Sequence, residues 1–218
     1  MSNIGILGSG SVGDTIGSKL IELGHTVTMG SRTNNNEKVQ AFVSKHGEKA
    51  RAGTFADAAA FGEIIFNCTK GEGSLDALHI AGENNLKDKI IVDVANPLDF
   101  SHGMPPALTV SNTDSLAEEI QRTYPSSKVV KALNTMWCGL MVNPKLINNG
   151  DHTTFISGND DDAKKRVKEI LVSFGWTEKN IIDLGDITTS RGTEMYLALW
   201  VRIMGSLNSG NFNIKIVS

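Results

Sequence analysis

The sequence predicts an α/β protein: a doubly wound, mostly parallel sheet with a small α/β subdomain toward its C-terminal end. Three observations carry this. The run Ile4-Gly5-Ile6-Leu7 reads as a buried strand that passes through Gly8-Ser9-Gly10-Ser11-Val12-Gly13 into an apolar helical pattern, Val12, Ile16, Leu20 and Leu23. Compact apolar runs at Glu63 to Cys68, Lys89 to Val94 and Lys128 to Leu133 are separated by helical stretches, as in parallel strands joined by crossovers. A chain of 218 residues suffices for one substantial core with an appended piece, and the expected boundary divides residues 1–135 from residues 136–218.

The first strand, turn and helix have a chemical reading. In a Gly-x-Gly-x-x-Gly turn, Gly8 permits the tight bend, Gly10 lets the backbone approach a pyrophosphate, and Gly13 lets the helix pack close to its strand. The anion would sit at the helix N-terminus, where N–H groups lack partners and the helix dipole is positive. This is a Rossmann-type dinucleotide site. The second strand, Thr26-Val27-Thr28-Met29, ends in Gly30-Ser31-Arg32-Thr33. A carboxylate at that turn would bind the ribose hydroxyls of NAD. Here Arg32 stands between the hydroxyls of Ser31 and Thr33, a donor set for a ribose phosphate, which favours NADP over NAD. The alternative is an ordinary solvated loop arginine.

Asn34-Asn35-Asn36 marks a turn before a short helix over Glu37 to His46, a third strand is expected near Ala50-Arg51-Ala52, and Thr54 to Phe61 reads as an alanine-rich helix. The strand ending at Cys68 delivers Thr69-Lys70-Gly71-Glu72-Gly73 to the carboxyl edge of the sheet, where open parallel sheets bind ligands. Lys70 is there either a proton donor or phosphate contact, or a solvated lysine. A helix over Ser74 to Ala81 and the strand Lys89 to Val94 follow. Pro97 removes a ladder donor and keeps Asn96 out of the helical region, so the strand ends and turns at the same edge. The Asn96 amide suits the carboxamide or ribose of a nicotinamide half, or closes its own turn. Asp99 to Leu108 reads as an irregular loop bordering a substrate, with His102 either catalytic or solvated. His25, His46, His79 and His152 are expected in turns or on helix faces without a chemical role.

Ser115-Leu116-Ala117-Glu118 is a capping box opening a helix that ends near Tyr124-Pro125. The strand from Lys128 leads to Asn134-Thr135-Met136-Trp137, small polar groups beside apolar surface, which suits either a pocket for a flat ring or plain core packing. Then come a strand at Thr153 to Ser157 and a helix from Asp160 to Phe174, with Lys164, Lys165, Arg166 and Lys168 as a solvated face. A short strand at Ile181 to Gly185, a buried helix from Thr189 to Leu207 and an extended tail through Ile216 follow.

Composition narrows the classes. Hydrophobic residues make up 40% and charged residues 21%, and a net charge of -3 gives no basic footprint, so no nucleic-acid partner is expected. The apolar run Met195 to Val201 is closed by Arg202, too short for a membrane span, and the N-terminus lacks the layout of a secretion signal. A cytoplasmic protein without a membrane partner is expected. Cys68 and Cys138 lack metal or disulfide spacing and read as reduced core thiols, with no metal site. The last helix carries more apolar surface than one small sheet covers, which suggests a homodimer.

With these landmarks in place, nearly the whole chain resembles the NADPH-dependent F420 reductase family, small oxidoreductases that pass hydride between NADP(H) and the deazaflavin coenzyme F420. The stretches that carry the resemblance are Gly8 to Gly13, Gly30-Ser31-Arg32, Lys128-Val129-Val130 with Ala132-Leu133-Asn134-Thr135, Ser157-Gly158-Asn159-Asp160-Asp161, Ser190-Arg191 and Asn213-Ile214-Lys215-Ile216. It implies NADP(H) held through Ser9, Gly10, Ser11, Val12, Ser31 and Arg32, with the nicotinamide near Thr69 and the Asn134, Thr135, Met136 edge. It also implies direct hydride transfer between stacked rings, with coenzyme F420 or a flavin-like molecule as second substrate. Catalysis would come from holding donor and acceptor carbons about 3–3.5 Å apart in a dry pocket. A deazaflavin spreads the arriving charge over its ring, which agrees with the absence of a His, Tyr–Lys or paired-carboxylate constellation. Two other readings stay open: an NADPH-dependent reductase of a small carbonyl or imine, with Lys70 or His102 as proton donor, and a non-catalytic NADP(H) sensor.

Overall fold

The computed structural model describes residues 1–217. Its first half runs β1 (Asn3–Leu7), α1 (Ser11–Glu22), β2 (Thr26–Ser31), α2 (Glu37–His46), β3 (Ala50–Thr54), α3 (Phe55–Phe61) and β4 (Ile64–Asn67). After these come α4 (Ser74–Ala81), the single-turn α5 (Glu83–Leu86), β5 (Ile90–Asp93), a small hairpin of β6 (Leu98–Asp99) and β7 (Ala107–Leu108), α6 (Leu116–Thr123) and β8 (Lys128–Ala132). The chain then continues through α7 (Cys138–Val142), β9 (Thr154–Gly158), α8 (Asp161–Ser173), β10 (Ile181–Asp183) and α9 (Ser190–Leu207).

Eight strands form one sheet in the order β10-β9-β8-β5-β4-β1-β2-β3. All neighbours are parallel except β8 and β9. The direction of travel across the sheet reverses between β1 and β4, the switch point beside which open α/β sheets bind ligands. Both faces are covered, so the strands are apolar on both sides. Ile64 and Phe66 of β4 join the core under α1 and α2, while Ile65 between them joins the core under α3 to α6. Helix starts are set by short polar side chains: Asn36 caps α2, Thr54 and Asp57 make a reciprocal box at α3, and Asp160 caps α8.

Several expectations are corrected. The loop at Asp99 to Leu108 contains the β6–β7 hairpin, in which Leu98 faces Leu108. The capping box at Ser115 forms in altered shape: Ser115 Oγ accepts from the Glu118 N–H at 3.2 Å and donates to Glu118 Oε2 at 2.7 Å, but the Ser115 N–H goes to Asp114 Oδ1, and the Glu118 carboxylate also takes Arg191 at 2.6 and 2.8 Å. Lys164 is not solvated; it is 7% exposed and pairs with Asp183 and Asp161. His152 is 2% exposed, its Nε2 bonded to the Pro144 carbonyl at 2.8 Å and its Nδ1 to the Asn213 amide at 2.7 Å. The last helix is buried on one side only, with Met195, Leu199 and Leu207 exposed on the other. Residues 136–217 of the expected C-terminal subdomain add β9 and β10 to the main sheet, and Ser218 lies outside the described residues. Among the described residues no helix is long and apolar enough to cross a membrane.

Candidate functional site

The carboxyl ends of β1, β2 and β4 open onto one groove of about 570 Å³, a size suited to a small molecule. Its floor is the glycine turn. Gly8 stands at φ +116°, and a Cβ there would lie 2.7 Å from the Cys68 carbonyl oxygen. A Cβ on Gly13 would overlap the Gly8 carbonyl oxygen, so only glycine lets α1 settle this close to β1. Gly10 differs: a Cβ there would meet nothing within 4 Å. Gly10 faces open space at the mouth of the groove. Gly10 is also the N-cap of α1, with no side-chain cap, so the first N–H groups of the helix open on the groove beside Ser9 and Ser11. The Val12 side chain packs against the core. An uncapped helix start facing an empty cradle fits a pyrophosphate.

At the end of β2 the Ser31 hydroxyl donates to the Thr33 carbonyl at 2.6 Å, bracing the turn that presents Arg32 and Thr33 to solvent. Arg32 forms no ion pair among the described residues. Its Nη2 reaches across the groove to within 3.7 Å of where a Cβ on Gly73 would stand. Lys38 lines the same stretch. Asn36 fixes this side: its Oδ1 accepts from the N–H groups of Lys38 and Val39 at 3.0 and 3.2 Å and from Ser9 Oγ at 3.3 Å, which ties the glycine turn to the start of α2. An unpaired arginine beside a lysine can hold a phosphate by charge-assisted hydrogen bonds.

Across the switch point the loops after β4, β5 and β8 are joined. Thr69 Oγ1 donates to Asn67 Oδ1 at 2.7 Å and lies 2.8 Å from Ser74 Oγ, while Asn67 Nδ2 donates to Asp93 at 2.8 Å. The Gly71–Gly73 turn rests on the Asn96 carbonyl so closely that only glycine fits at Gly71. Asn96 Nδ2 donates to the Asn134 carbonyl at 2.8 Å, and Asn134 Nδ2 donates to Asn96 Oδ1 at 2.9 Å. Leu133, at φ +62°, turns the chain out of β8 to allow this pairing. Pro97, Asn134, Thr135 and Met136 are buried and form the base of the edge, with Thr135 Oγ1 lacking a partner. Lys70 is exposed at the groove's rim, and His102 is exposed on the β6–β7 hairpin outside it. Beyond this edge stands Trp137, 43% exposed, near Gly210 and beside a stack of Trp200 on Phe212 with centroids 5.4 Å apart.

Gly8 to Gly10, Ser31 to Thr33, Thr69 and Lys70 thus share one groove, and Asn96 meets Asn134 beside it, while Ser11, Val12, Gly13, Pro97, Thr135 and Met136 lie outside its lining. Asn36, Lys38, Phe55 and Ala77 also line the groove and escaped sequence reasoning, whereas Glu72 and Gly73, in the same lining, belong to the loop expected at this edge. The signal was available for two of them: Asn36 and Lys38 begin the helix after the second strand, and that helix start must face the same sheet edge.

A sequence model of the family described as NADP oxidoreductase, coenzyme F420-dependent, matches residues 3–97. A crystal structure from Arthrobacter sp. FB24, provisionally described as an F420-dependent NADP-reductase, is 48% identical and superposes with a TM-score of 0.94 over all of both chains. A reductive aminase from Aspergillus terreus, solved with NADPH, matches 95% of this chain and 63% of its own with a TM-score of 0.64. At 16% identity it speaks to the fold alone. The metalloreductase STEAP3 of Rattus norvegicus is 28% identical over 193 residues, 88% of this chain, and this chain spans 35% of that relative's length. Full-length agreement with the Arthrobacter protein, on a fold whose glycine cradle fits a dinucleotide, places this NADP-dependent oxidoreductase in the coenzyme F420-dependent NADP oxidoreductase family.

Proposed function

We propose that the protein transfers hydride between NADPH and a ring acceptor, coenzyme F420 or a flavin-like molecule. The observation that carries the reading is the groove that joins an uncapped helix start at Gly10 to the unpaired Arg32 and to Thr69. NADP(H), when bound, supplies or takes the hydride. The residues of the chain bind and orient. Backbone and hydroxyl groups of Gly8, Ser9, Gly10, Ser11, Val12 and Gly13 hold the pyrophosphate. Ser31, Arg32 and Thr33 hold the ribose phosphate, with Lys38 as a second cation. Thr69, Lys70, Asn96, Pro97, Asn134, Thr135 and Met136 form the nicotinamide side, the buried members acting through the backbone. Residues 136–218 supply the acceptor side, with Trp137, Trp200 and Phe212 as an apolar wall. A ring acceptor delocalises charge, so position and exclusion of water do most of the catalysis, and the edge built from paired amides supports this. Two copies pair through the exposed face of α9, supported by the apolar Met195, Leu199 and Leu207.

The test is a titration with NADPH followed by oxidised F420, with the deazaflavin absorbance followed. Bleaching at a rate that saturates with both supports the proposal. A second reading, reduction of a small carbonyl or imine, is favoured by Lys70 at the groove's rim. Tight NADPH binding without bleaching, and imine turnover lost in Lys70→Ala, would decide for it.

A further inference from the structure

We propose that Lys131 is a positioning residue for hydride transfer, acting through a buried ionic knot that ties the nicotinamide edge of the groove to α9. The inference rests on the nucleotide reading above, because it needs the Asn96 and Asn134 edge to face the nicotinamide half.

Lys131 lies in β8, 1% exposed. An ammonium has three N–H donors, and each has an acceptor: Asp93 Oδ2 at 2.7 Å, the Ala95 carbonyl at 2.5 Å and Glu194 Oε1 at 2.7 Å. Both carboxylates are as buried as the lysine, at 0% and 1%. Asp93 Oδ1 accepts from Asn67 Nδ2 at 2.8 Å and from the Ala95 N–H at 3.3 Å. Glu194 accepts from the N–H groups of Leu116 and Ala117, the start of α6, at 2.8 and 3.1 Å. One side chain therefore links β4, β5, β8, α6 and α9. Burial by itself would push the Lys131 pKa down, but Asp93 and Glu194 outweigh it and hold the value above that of an ordinary lysine. The group is a permanently charged strut rather than an acid.

By itself, a buried ion triad is weak evidence of added stability. A buried ion triad can commonly be exchanged for packed apolar residues without loss, and Val129 and Val130 are apolar neighbours in the same strand. What an apolar residue at this position could not supply is direction. Lys131 fixes the Ala95 carbonyl, and Ala95 immediately precedes Asn96, whose amide is interlocked with Asn134. Through Glu194 it sets α9, which carries Trp200. The donor's edge and the acceptor's wall are thereby referred to one atom, Nζ of Lys131. Misplacement by about 1 Å can cost a reaction on the order of a hundredfold.

Lys131→Met alone would strand two buried carboxylates and fail to fold. The double variant Asp93→Asn, Lys131→Met removes one carboxylate with the ammonium and leaves Glu194 held by the α6 N–H groups. Two probes separate the ends of the groove in the full chain. Adenosine 2′,5′-bisphosphate lacks a nicotinamide and reports the phosphate end, and the fluorescence lifetime of bound NADPH reports how firmly the nicotinamide is held. We expect bisphosphate affinity within about threefold of the unaltered protein, a bound lifetime falling toward that of free NADPH, and kcat with F420 lower by about tenfold or more. A larger isotope effect with NADPH deuterated at the transferred position should accompany the fall. An unchanged lifetime, or a parallel loss of bisphosphate affinity, would overturn the positioning role. If the unaltered protein binds NADPH with a long lifetime yet does not reduce F420, the choice of acceptor fails while the lifetime comparison still decides the role of Lys131.

Discussion

Replacing Arg32 by alanine should separate NADPH from NADH. The side chain is exposed, lacks an ion-pair partner among the described residues and leans across the groove toward Gly73. Its removal strands no buried charge, so global stability should change by less than about 0.5 kcal/mol. A hydrogen bond to a charged group contributes about 1.5–3 kcal/mol, equivalent to about 10- to 150-fold in Kd. Solvent reaches this side of the groove and Lys38 remains, so the lower end applies, about 10- to 30-fold weaker NADPH binding. NADH has no ribose phosphate, and its Kd should move by less than about threefold. Fluorescence titrations of both nucleotides against both proteins measure this, and repeating them from about 0.05 M to about 0.5 M salt should shrink the NADPH preference of the unaltered protein. Equal losses for the two nucleotides, or no loss for either, would refute the assignment of Arg32 to the phosphate.

Gly8→Ala should destabilise the fold by about 2–4 kcal/mol in denaturant titrations, since φ +116° and the Cys68 carbonyl both oppose a Cβ. An unchanged midpoint would contradict that geometry. Thr54→Ala removes the cap of α3 and should cost about 1 kcal/mol at neutral pH. The Thr54 N–H and, second, its hydroxyl donate to the Asp57 carboxylate and hold its pKa below the usual value, and of these the alanine variant loses only the hydroxyl's bond. Their contribution is therefore complete above the unfolded pKa of about 4 and disappears as pH falls through the lowered folded value, so the variant should lose less stability on acidification than the unaltered protein. Urea titrations at neutral and acid pH would reveal a contrary, parallel decline. Leu199→Lys, on the exposed face of α9, should turn a dimer into a monomer by light scattering, and an unaltered protein already monomeric would end the dimer reading.

The nucleotide half of the site was legible because its determinants are local. Gly8, Gly10 and Gly13 sit within one turn, and Ser31 to Thr33 sit at the end of the strand that must neighbour the first. What escaped depends on partners remote in sequence. Lys164 reads as one of several solvated lysines until Asp183 is folded onto it. Nothing near Lys131 announces that Glu194 will meet it, and nothing near Glu118 announces that Arg191 will share its carboxylate with the local cap. His152 is enclosed by groups remote in sequence, Trp176 against its ring and Asn213 from the returning tail. For α9 the sequence implies both a buried helix and more apolar surface than the sheet covers, because an apolar run states how much surface wants cover, not which side receives it.

The antiparallel pairing of β8 and β9 has an electrical consequence. Because β9 runs the opposite way, α8 returns toward the carboxyl edge of β8 and ends near α7, where Trp176 Nε1 donates to the Met141 carbonyl at 2.9 Å. That edge therefore meets a helix start at α1 and a helix finish at α8, about half an elementary charge of opposite sign at each. The upper rim of the sheet is graded, positive over the glycine turn and negative past β8. A long ligand with anionic phosphates at one end and an uncharged ring at the other would settle more favourably with its phosphates against α1 and its ring toward β8.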